Sequence, residues 1–446
     1  MCPRKEAKSV ALHVKIRTPI HWDAAKMNAP RETEAKCRPE SVWTRIANWL
    51  TPFLIAFGCI AYVYRFPVMI GNASLFRVDG IVIGLVILIR LINGSALSNT
   101  KLLSRSTVPF CVSGILTLVA VGETAVRVMP PVYAAGSLVQ TLNVIIFLLV
   151  FAFIDSRATL LRLIRAYIVV SVLETVIAID ALITGKLLFS SLIEKNGAAY
   201  LSGLSFVNDS DGLRRLTGTF YDPNFYGIYL CTVVALASWL LIQNEGSRLD
   251  KIAIALSITQ IFLTASRTAM VGLCIIGAVL LFMEKRARPY VIRVGLLVTP
   301  IVVALFALFS TSPLLERILS GQSFQDRFSF FARGLAAFAR SPIFGSGTLA
   351  LIDPDSGIAT AHDLYISVLG KFGVLGAGAY AAFIFVPLAF GKIRPNTIGD
   401  RTLAALCILP LAGMYLSYDF FEFLEFQYII FSIAYAAVFV SPDPDV

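Results

Sequence analysis

The chain has 446 residues, of which 57% are hydrophobic and only 15% are charged, and its mean hydropathy is +0.77. A water-soluble protein of this length needs far more polar surface, so the composition excludes that class and predicts a polytopic membrane protein. The net charge of +10 is no sign of a nucleic-acid partner, because it lies in the first 45 residues and in loops where membrane topology requires it.

Residues 1–45 are predicted to form a disordered, basic cytoplasmic tail. They hold ten Lys or Arg and five Asp or Glu, and they lack the apolar core and cleavage site of a signal peptide. Contact with anionic lipid headgroups is an alternative to a purely topogenic role. Met27 is an alternative to Met1 as the start.

Residues 46–440 are predicted to form an all-α membrane domain of about twelve transmembrane helices, because about 17–25 apolar residues span a bilayer as a helix. The longer apolar stretches are 46–64, 132–154, 160–184, 225–242, 291–309 and 364–390. The shorter ones are 78–92, 107–121, 252–264, 269–283, 403–416 and 428–440.

The charges between these stretches orient the domain. With the tail inside, every short inside loop is basic, as the positive-inside rule expects, and the last outside loop carries Asp419, Glu422 and Glu425. Both termini are therefore predicted to be cytoplasmic. The inside charges are Lys101, Arg105, Arg157, Arg162, Arg165, Arg248, Lys251, Lys285, Arg286, Arg288, Lys392, Arg394 and Arg401.

Metal and disulfide chemistry are not predicted. None of the seven cysteines falls in an outer loop, and neither a CxxC nor a Cys/His ligand spacing occurs. We therefore expect no metal and no cofactor.

Two outer loops are long, from about 185 to 223 and from about 311 to 361, and long loops are usually functional. The second contains a predicted amphipathic helix whose apolar stripe is Phe324, Phe328, Phe331, Leu335 and Phe338. Such a helix lies at the outer interface with its Phe side down, or it packs on the bundle with no role in chemistry. Arg333 and Arg340 fall on the opposite face, and Arg327 lies at the edge of the stripe.

Arginines on the predicted outer face need an explanation, because topology keeps that face poor in positive charge. Arg214 and Arg215 precede the sixth crossing, where Asp222 and Pro223 predict an N-cap and first helical position. Arg267 lies in a short outer turn, where it snorkels or binds an anion. The planar fork of a guanidinium suits a diphosphate.

His362 is the single histidine outside the first 45 residues. It starts the tenth crossing on the arginine side, and its near-neutral pKa suits a general base that takes a proton from a sugar hydroxyl. Asp363 beside it is a helix-cap candidate, and Gly345 and Gly347 predict turns. The ionisable residues Glu174, Asp180 and Lys371 lie inside crossings, and Glu174 and Lys371 are candidates for packing or substrate contact.

The chain resembles the O-antigen ligase and polymerase superfamily over residues 214–375. The resemblance rests on the Arg-Leu-Thr-Gly-Thr-Phe stretch ending at Pro223-Asn224, the Ser266-Arg267-Thr268 turn, Arg327 before an aromatic helix, the run from Pro342 to Gly347, and His362. Asp363 stands where the family usually has Asn, and Lys371 where relatives often carry an acidic residue.

The resemblance implies a metal-independent membrane glycosyltransferase that uses a glycan on undecaprenyl diphosphate, presented outside the bacterial inner membrane. His362 would activate the acceptor hydroxyl, and Arg215 and Arg267 would stabilise the leaving diphosphate. Arg214, Arg327, Asp363 and Asn224 would contact substrate. Direct attack implies inversion at the anomeric carbon.

Four functions stay open from the sequence. A polymerase of surface-polysaccharide repeat units is favoured, and a ligase onto lipid A core shares its chemistry and differs only in the acceptor. A transporter of the same lipid would need a polar midplane. A scaffold in a polysaccharide export complex would need no catalytic residue.

Overall fold

We describe the computed structural model of the chain for residues 42–60, 69–70, 73–74, 100–126, 131–184, 206–208, 214–220, 222–293, 296, 322–352, 361–391, 399–417 and 425–440. From Trp43 onwards they belong to one compact unit. Their secondary structure is mostly helical, which agrees with the all-α prediction. Most of the predicted tail, the predicted crossing 78–92 and most of the predicted crossing 291–309 lie outside the described residues.

Apart from those two, each predicted crossing coincides with one helix, and the long second loop contains a further helix, as predicted. The helices are α1 Val42–Ile60, α2 Thr100–Val126, α3 Pro131–Phe153, α4 Arg157–Thr184, α5 Pro223–Ile242, α6 Arg248–Thr264, α7 Arg267–Met283, α8 Gln322–Arg340, α9 Leu364–Phe390, α10 Arg401–Met414 and α11 Glu425–Phe439.

Two of the described helices, α5 and α9, are long and apolar enough to cross a membrane. Shorter apolar helices occur within α1, α2, α3, α7, α10 and α11. Large apolar side chains face outward: Leu118 is 73% exposed and Val176 60%, which is typical of helices that contact lipid rather than water. The apolar surface supports a membrane protein, and the number of about twelve crossings stays a prediction.

The centre of the bundle is α5, which contacts α4, α6, α7 and α10. Its Trp239 and Tyr229 are completely buried. Tyr229 packs against Phe220 with ring centroids 5.1 Å apart and against Phe426 with 5.8 Å. This aromatic packing fixes the start of α5 relative to α11 and to the segment before α5.

The described parts of three predicted inside loops, before α4, between α5 and α6, and before α10, meet at one end of the bundle, which we call the basic end. There Arg165 forms an ion pair with Glu245 at 3.1 Å, and the Trp239 indole donates to the Asp400 carboxylate at 3.0 Å. Arg157 lies over the same indole. We call the opposite end, where α5, α7 and α9 begin and α6 and α10 terminate, the site end.

The first long outer loop contains structure that the sequence analysis did not predict. Strand β3, Phe206–Asn208, pairs antiparallel with β4, Arg214–Leu216, and Val207 lies opposite Arg215. A second short ladder joins β1, Met69–Ile70, to β2, Ala73–Ser74. Each strand has three residues or fewer, which is too short for the alternation of apolar and polar residues to be recognised in the sequence.

Helix α9 is interrupted at Gly373, which has φ 64° and ψ −163°. The turn after α8 fills the break: Val374 N donates to Pro342 O at 2.9 Å, and Gly347 N donates to Lys371 O at 3.0 Å. At the interruption, backbone N–H and C=O groups of α9 form hydrogen bonds with the turn instead of within the helix. Gly345 and Gly347, for which the sequence predicted turns, follow the turn 342–344 and have left-handed φ of 71° and 85°.

We expect Gly345→Ala to destabilise the fold by about 2–3 kcal/mol through overpacking and left-handed strain. A Cβ at Gly345 would lie 2.2 Å from the Lys371 carbonyl oxygen. Gly378→Ala is the matched control in α9, because its Cβ would meet nothing within 4 Å, and it should leave stability unchanged or raise it by about 0.5–1 kcal/mol. Thermal unfolding of the two variants in detergent measures the difference, and equal midpoints would contradict the prediction.

Candidate functional site

Arg215 is buried at the site end although it carries a charge. Its Nε donates to the Thr264 carbonyl oxygen at the end of α6, 2.8 Å away, and an Nη donates to Asn224 Oδ1 at 3.4 Å. The guanidinium is therefore held between β4, the end of α6 and the start of α5. A guanidinium fixed in this way is preorganised to bind an anion.

Asn224 joins Arg215 to the turn that carries Arg267. Its Oδ1 also accepts from the Ser266 hydroxyl at 2.8 Å. The turn is tight because Ala265 adopts a left-handed conformation with φ 50°. Ser266 then caps α7 by accepting from Ala269 N. The structure thus brings together three of the predicted site residues: Arg215, Asn224 and Arg267.

Arg267 is half-buried and is the first residue of α7. A cation is electrostatically unfavourable at the positive end of a helix dipole. The helix N-terminus and the guanidinium of Arg267 both attract negative charge.

The start of α5 is built as predicted. Asp222 caps the helix, accepting from Asn224 N at 2.6 Å and from Phe225 N at 3.4 Å, and Pro223 occupies the first turn. The cap fixes the backbone of Asn224. The side chain of Asn224 is thereby directed to Arg215 and Ser266.

His362 is half-buried and has a left-handed backbone with φ 54°. Its imidazole packs edge-on against Phe330 of α8, with ring centroids 4.5 Å apart, and the Arg333 guanidinium lies over the Phe330 ring. Asp363 follows as the N-cap of α9 and accepts from Ile366 N at 2.9 Å. The capping role of Asp363 is thus observed, and its contact with substrate stays a prediction.

A chain of contacts connects the His362 segment to the Arg267 turn through the end of α10. Leu364 N donates to the Tyr415 carbonyl oxygen at 3.0 Å. Two residues further on, the Ser417 hydroxyl lies 2.7 Å from the Thr268 hydroxyl. His362 and Arg267 therefore flank the same end of α10.

Helix α8 packs against α9 through a face of α8 other than its predicted apolar stripe. Gly334 and Ala337 are buried, and a Cβ on Gly334 would lie 2.5 Å from the Ile366 side chain. Phe328 and Leu335 of the stripe are 64% and 51% exposed. Small residues thus form the packing face, and Phe328 and Leu335 point outward, as for a helix that contacts the lipid interface.

For Arg214 and Arg327 only the backbone is described, in β4 and α8, and their predicted contact with substrate stays a prediction. The sequence analysis did not identify Thr264 or Ser266 as partners of the site. Both lie close to Arg267 in the sequence. The bond of Thr264 to Arg215 depends on how β4 packs on α6, and the bond of Ser266 to Asn224 depends on how the start of α5 packs on the same turn. Among the described residues no cluster of three or more His, Cys, Asp or Glu is placed to hold a metal ion.

Residues 252–381 match the protein-family model described as O-antigen ligase. The matched segment includes the Arg267 turn, α8 and His362, and it confirms the resemblance noted from the sequence. Arg215 and Asn224 precede it in the chain and contact it through Thr264 and Ser266. A search of the curated proteins gives no match to this chain.

Proposed function

We propose that this chain, which carries an O-antigen ligase domain over residues 252–381, transfers a glycan from undecaprenyl diphosphate to an acceptor hydroxyl at the outer face of the bacterial inner membrane. The domain supports a membrane glycosyltransferase of the O-antigen ligase type. The donor, the orientation with both termini inside, and about twelve crossings belong to the proposal. The separation of the basic end from the site end supports that orientation.

The observation that carries the proposal is the buried Arg215 guanidinium, joined through Asn224 and Ser266 to the turn that holds Arg267. A diphosphate leaving group develops negative charge as its bond to the sugar breaks. Two guanidinium groups placed before the reaction stabilise that charge without reorganisation. Stabilisation of the leaving diphosphate gives a reason why one arginine is buried and another lies at the start of a helix.

His362 is the proposed general base. It takes the proton of the acceptor hydroxyl while that oxygen attacks the anomeric carbon, and the anomeric carbon–oxygen bond to the diphosphate breaks in the same displacement. A single displacement inverts the configuration at the anomeric carbon. Neither a metal nor an enzyme nucleophile is needed in this sequence.

Polymerase and ligase use the same donor and differ in the acceptor. The match to the O-antigen ligase model supports either activity, and the sequence analysis favours the polymerase of repeat units over the ligase onto lipid A core. A transporter needs a polar path through the midplane, whereas most buried side chains around α5 are aliphatic or aromatic.

The test is an assay of the purified protein with an undecaprenyl-diphosphate-linked repeat unit, alone and with lipid A core added. A ladder of longer glycans from the donor alone identifies a polymerase. Product that forms only when lipid A core is present identifies a ligase. Correctly folded protein that makes neither product would contradict the proposed function.

A further inference from the structure

Glu174 of α4 is completely buried, and the proposed reaction does not use it. An ionisable residue inside a membrane domain is costly to bury and usually has a functional role. Its Oε1 accepts from Thr219 N at 2.8 Å, and its Oε2 accepts from the Tyr226 hydroxyl. Both partners lie near the start of α5, which places the carboxyl group beneath the site end.

The carboxyl group supports the turn that follows Arg215. In this turn Phe220 N donates to Thr217 O at 3.0 Å, and Gly218 has φ 53°. A Cβ on Gly218 would lie 2.3 Å from Glu174 Oε1. Glycine at this position therefore does two things: it allows the left-handed backbone, and it lets the turn rest directly on the carboxyl group.

The same network reaches the second support of Arg215. The Tyr226 hydroxyl also contacts Gln260 of α6, and Gln260 Nε2 donates to Thr175 Oγ1 at 2.8 Å. Gln260 is one helical turn before Thr264, whose carbonyl oxygen accepts from Arg215 Nε. The network thus fixes both the turn after β4 and the end of α6 relative to α4.

We propose that Glu174 is a positioning residue for Arg215. By anchoring the turn 217–220 and, through Tyr226 and Gln260, the end of α6, it holds the guanidinium where the leaving diphosphate is bound. The assignment rests on the proposed function, because Glu174 affects glycan transfer only through Arg215, which that function assigns to the leaving diphosphate. It involves no proton transfer to substrate.

Activity of single and double variants tests the assignment. Glu174→Ala should lower kcat by about 100-fold, the size of effect expected when a catalytic group is displaced by about 1 Å. Glu174→Gln keeps an acceptor for Thr219 N and should remain within about tenfold of the wild type. In an Arg215→Ala background, Glu174→Ala should cost less than about threefold more, because the two residues act through one contact chain.

Gln140→Ala is the matched control, because Gln140 is buried and hydrogen-bonded to Tyr380 at 2.6 Å, away from the residues that contact Arg215. It should leave kcat close to that of the wild type. Full additivity of Glu174→Ala with Arg215→Ala, or a Gln variant as inactive as the Ala variant, would overturn the positioning role.

Hydrogen exchange separates failure of this inference from failure of the proposed function, because it needs no glycan. Peptides covering residues 214–220 should exchange faster in Glu174→Ala than in Gln140→Ala. Unchanged exchange would overturn the anchoring role whatever the activity. Faster exchange in a protein that transfers no glycan would retain the anchoring and refute the function.

Discussion

Arg215→Ala is expected to lower glycan transfer by about 100- to 1000-fold, the loss found when one preorganised donor to a developing negative charge is removed. Arg215→Lys should recover little of this activity. Lysine cannot donate to Thr264 O and Asn224 Oδ1 while presenting a planar fork to a diphosphate. Initial rates with the undecaprenyl-diphosphate-linked donor measure both variants.

Arg248→Ala is the control for the loss of positive charge. Arg248 is exposed and begins α6 at the basic end, so its removal should change the rate by less than about twofold. The unfolding midpoint of Arg215→Ala must be measured as well, because Arg215 is buried. An Arg215→Ala protein that is folded and fully active would exclude its role in binding the leaving group.

His362→Asn is expected to lower kcat by about 100- to 10,000-fold, the contribution of a general base. Asn is a sharper test than Ala, because His362 has φ 54° and Asn tolerates the left-handed region better than other non-glycine residues. A fall in activity is then not caused by backbone strain. Asn also retains a polar side chain but cannot accept a proton at neutral pH.

The KM for the donor should change little in His362→Asn, since the proposed mechanism assigns diphosphate binding to the arginines. Loss of donor binding with kcat intact would instead assign His362 to binding. An unaltered rate in a folded His362→Asn protein would remove His362 from the mechanism.

Local signals in the sequence were sufficient for much of the site end. Asp222 and Pro223 predicted the start of α5, and Ser266-Arg267-Thr268 predicted a tight turn; both features are confirmed. The placement of that turn on the outer face stays a prediction. Such caps and turns depend on neighbouring residues in the chain, so the sequence carries them directly. The helix in the second long loop was predicted for the same reason, from its own periodicity.

Features that depend on packing between distant segments could not be predicted. The Glu174 network needs the depth of α4 relative to the turn 217–220, which no local pattern encodes. The sequence predicted a continuous crossing over 364–390, whereas the structure interrupts it at Gly373, because the turn after α8 inserts there. The apolar stripe of α8 predicted that the segment is helical but not which of its faces packs against α9. That face is formed by Gly334 and Ala337, and such small residues contribute little to a hydrophobic pattern.

Release of undecaprenyl diphosphate is the measurement that tests the central claim most directly. Purified wild-type protein in proteoliposomes is given a defined lipid-linked repeat unit with both candidate acceptors, and free undecaprenyl diphosphate is quantified beside the glycan product. The account predicts one diphosphate released for each glycosidic bond formed, with both lost together in Arg215→Ala and His362→Asn and both retained in Arg248→Ala. Movement of intact donor across the bilayer without diphosphate release, or transfer that persists in both site variants, would contradict it.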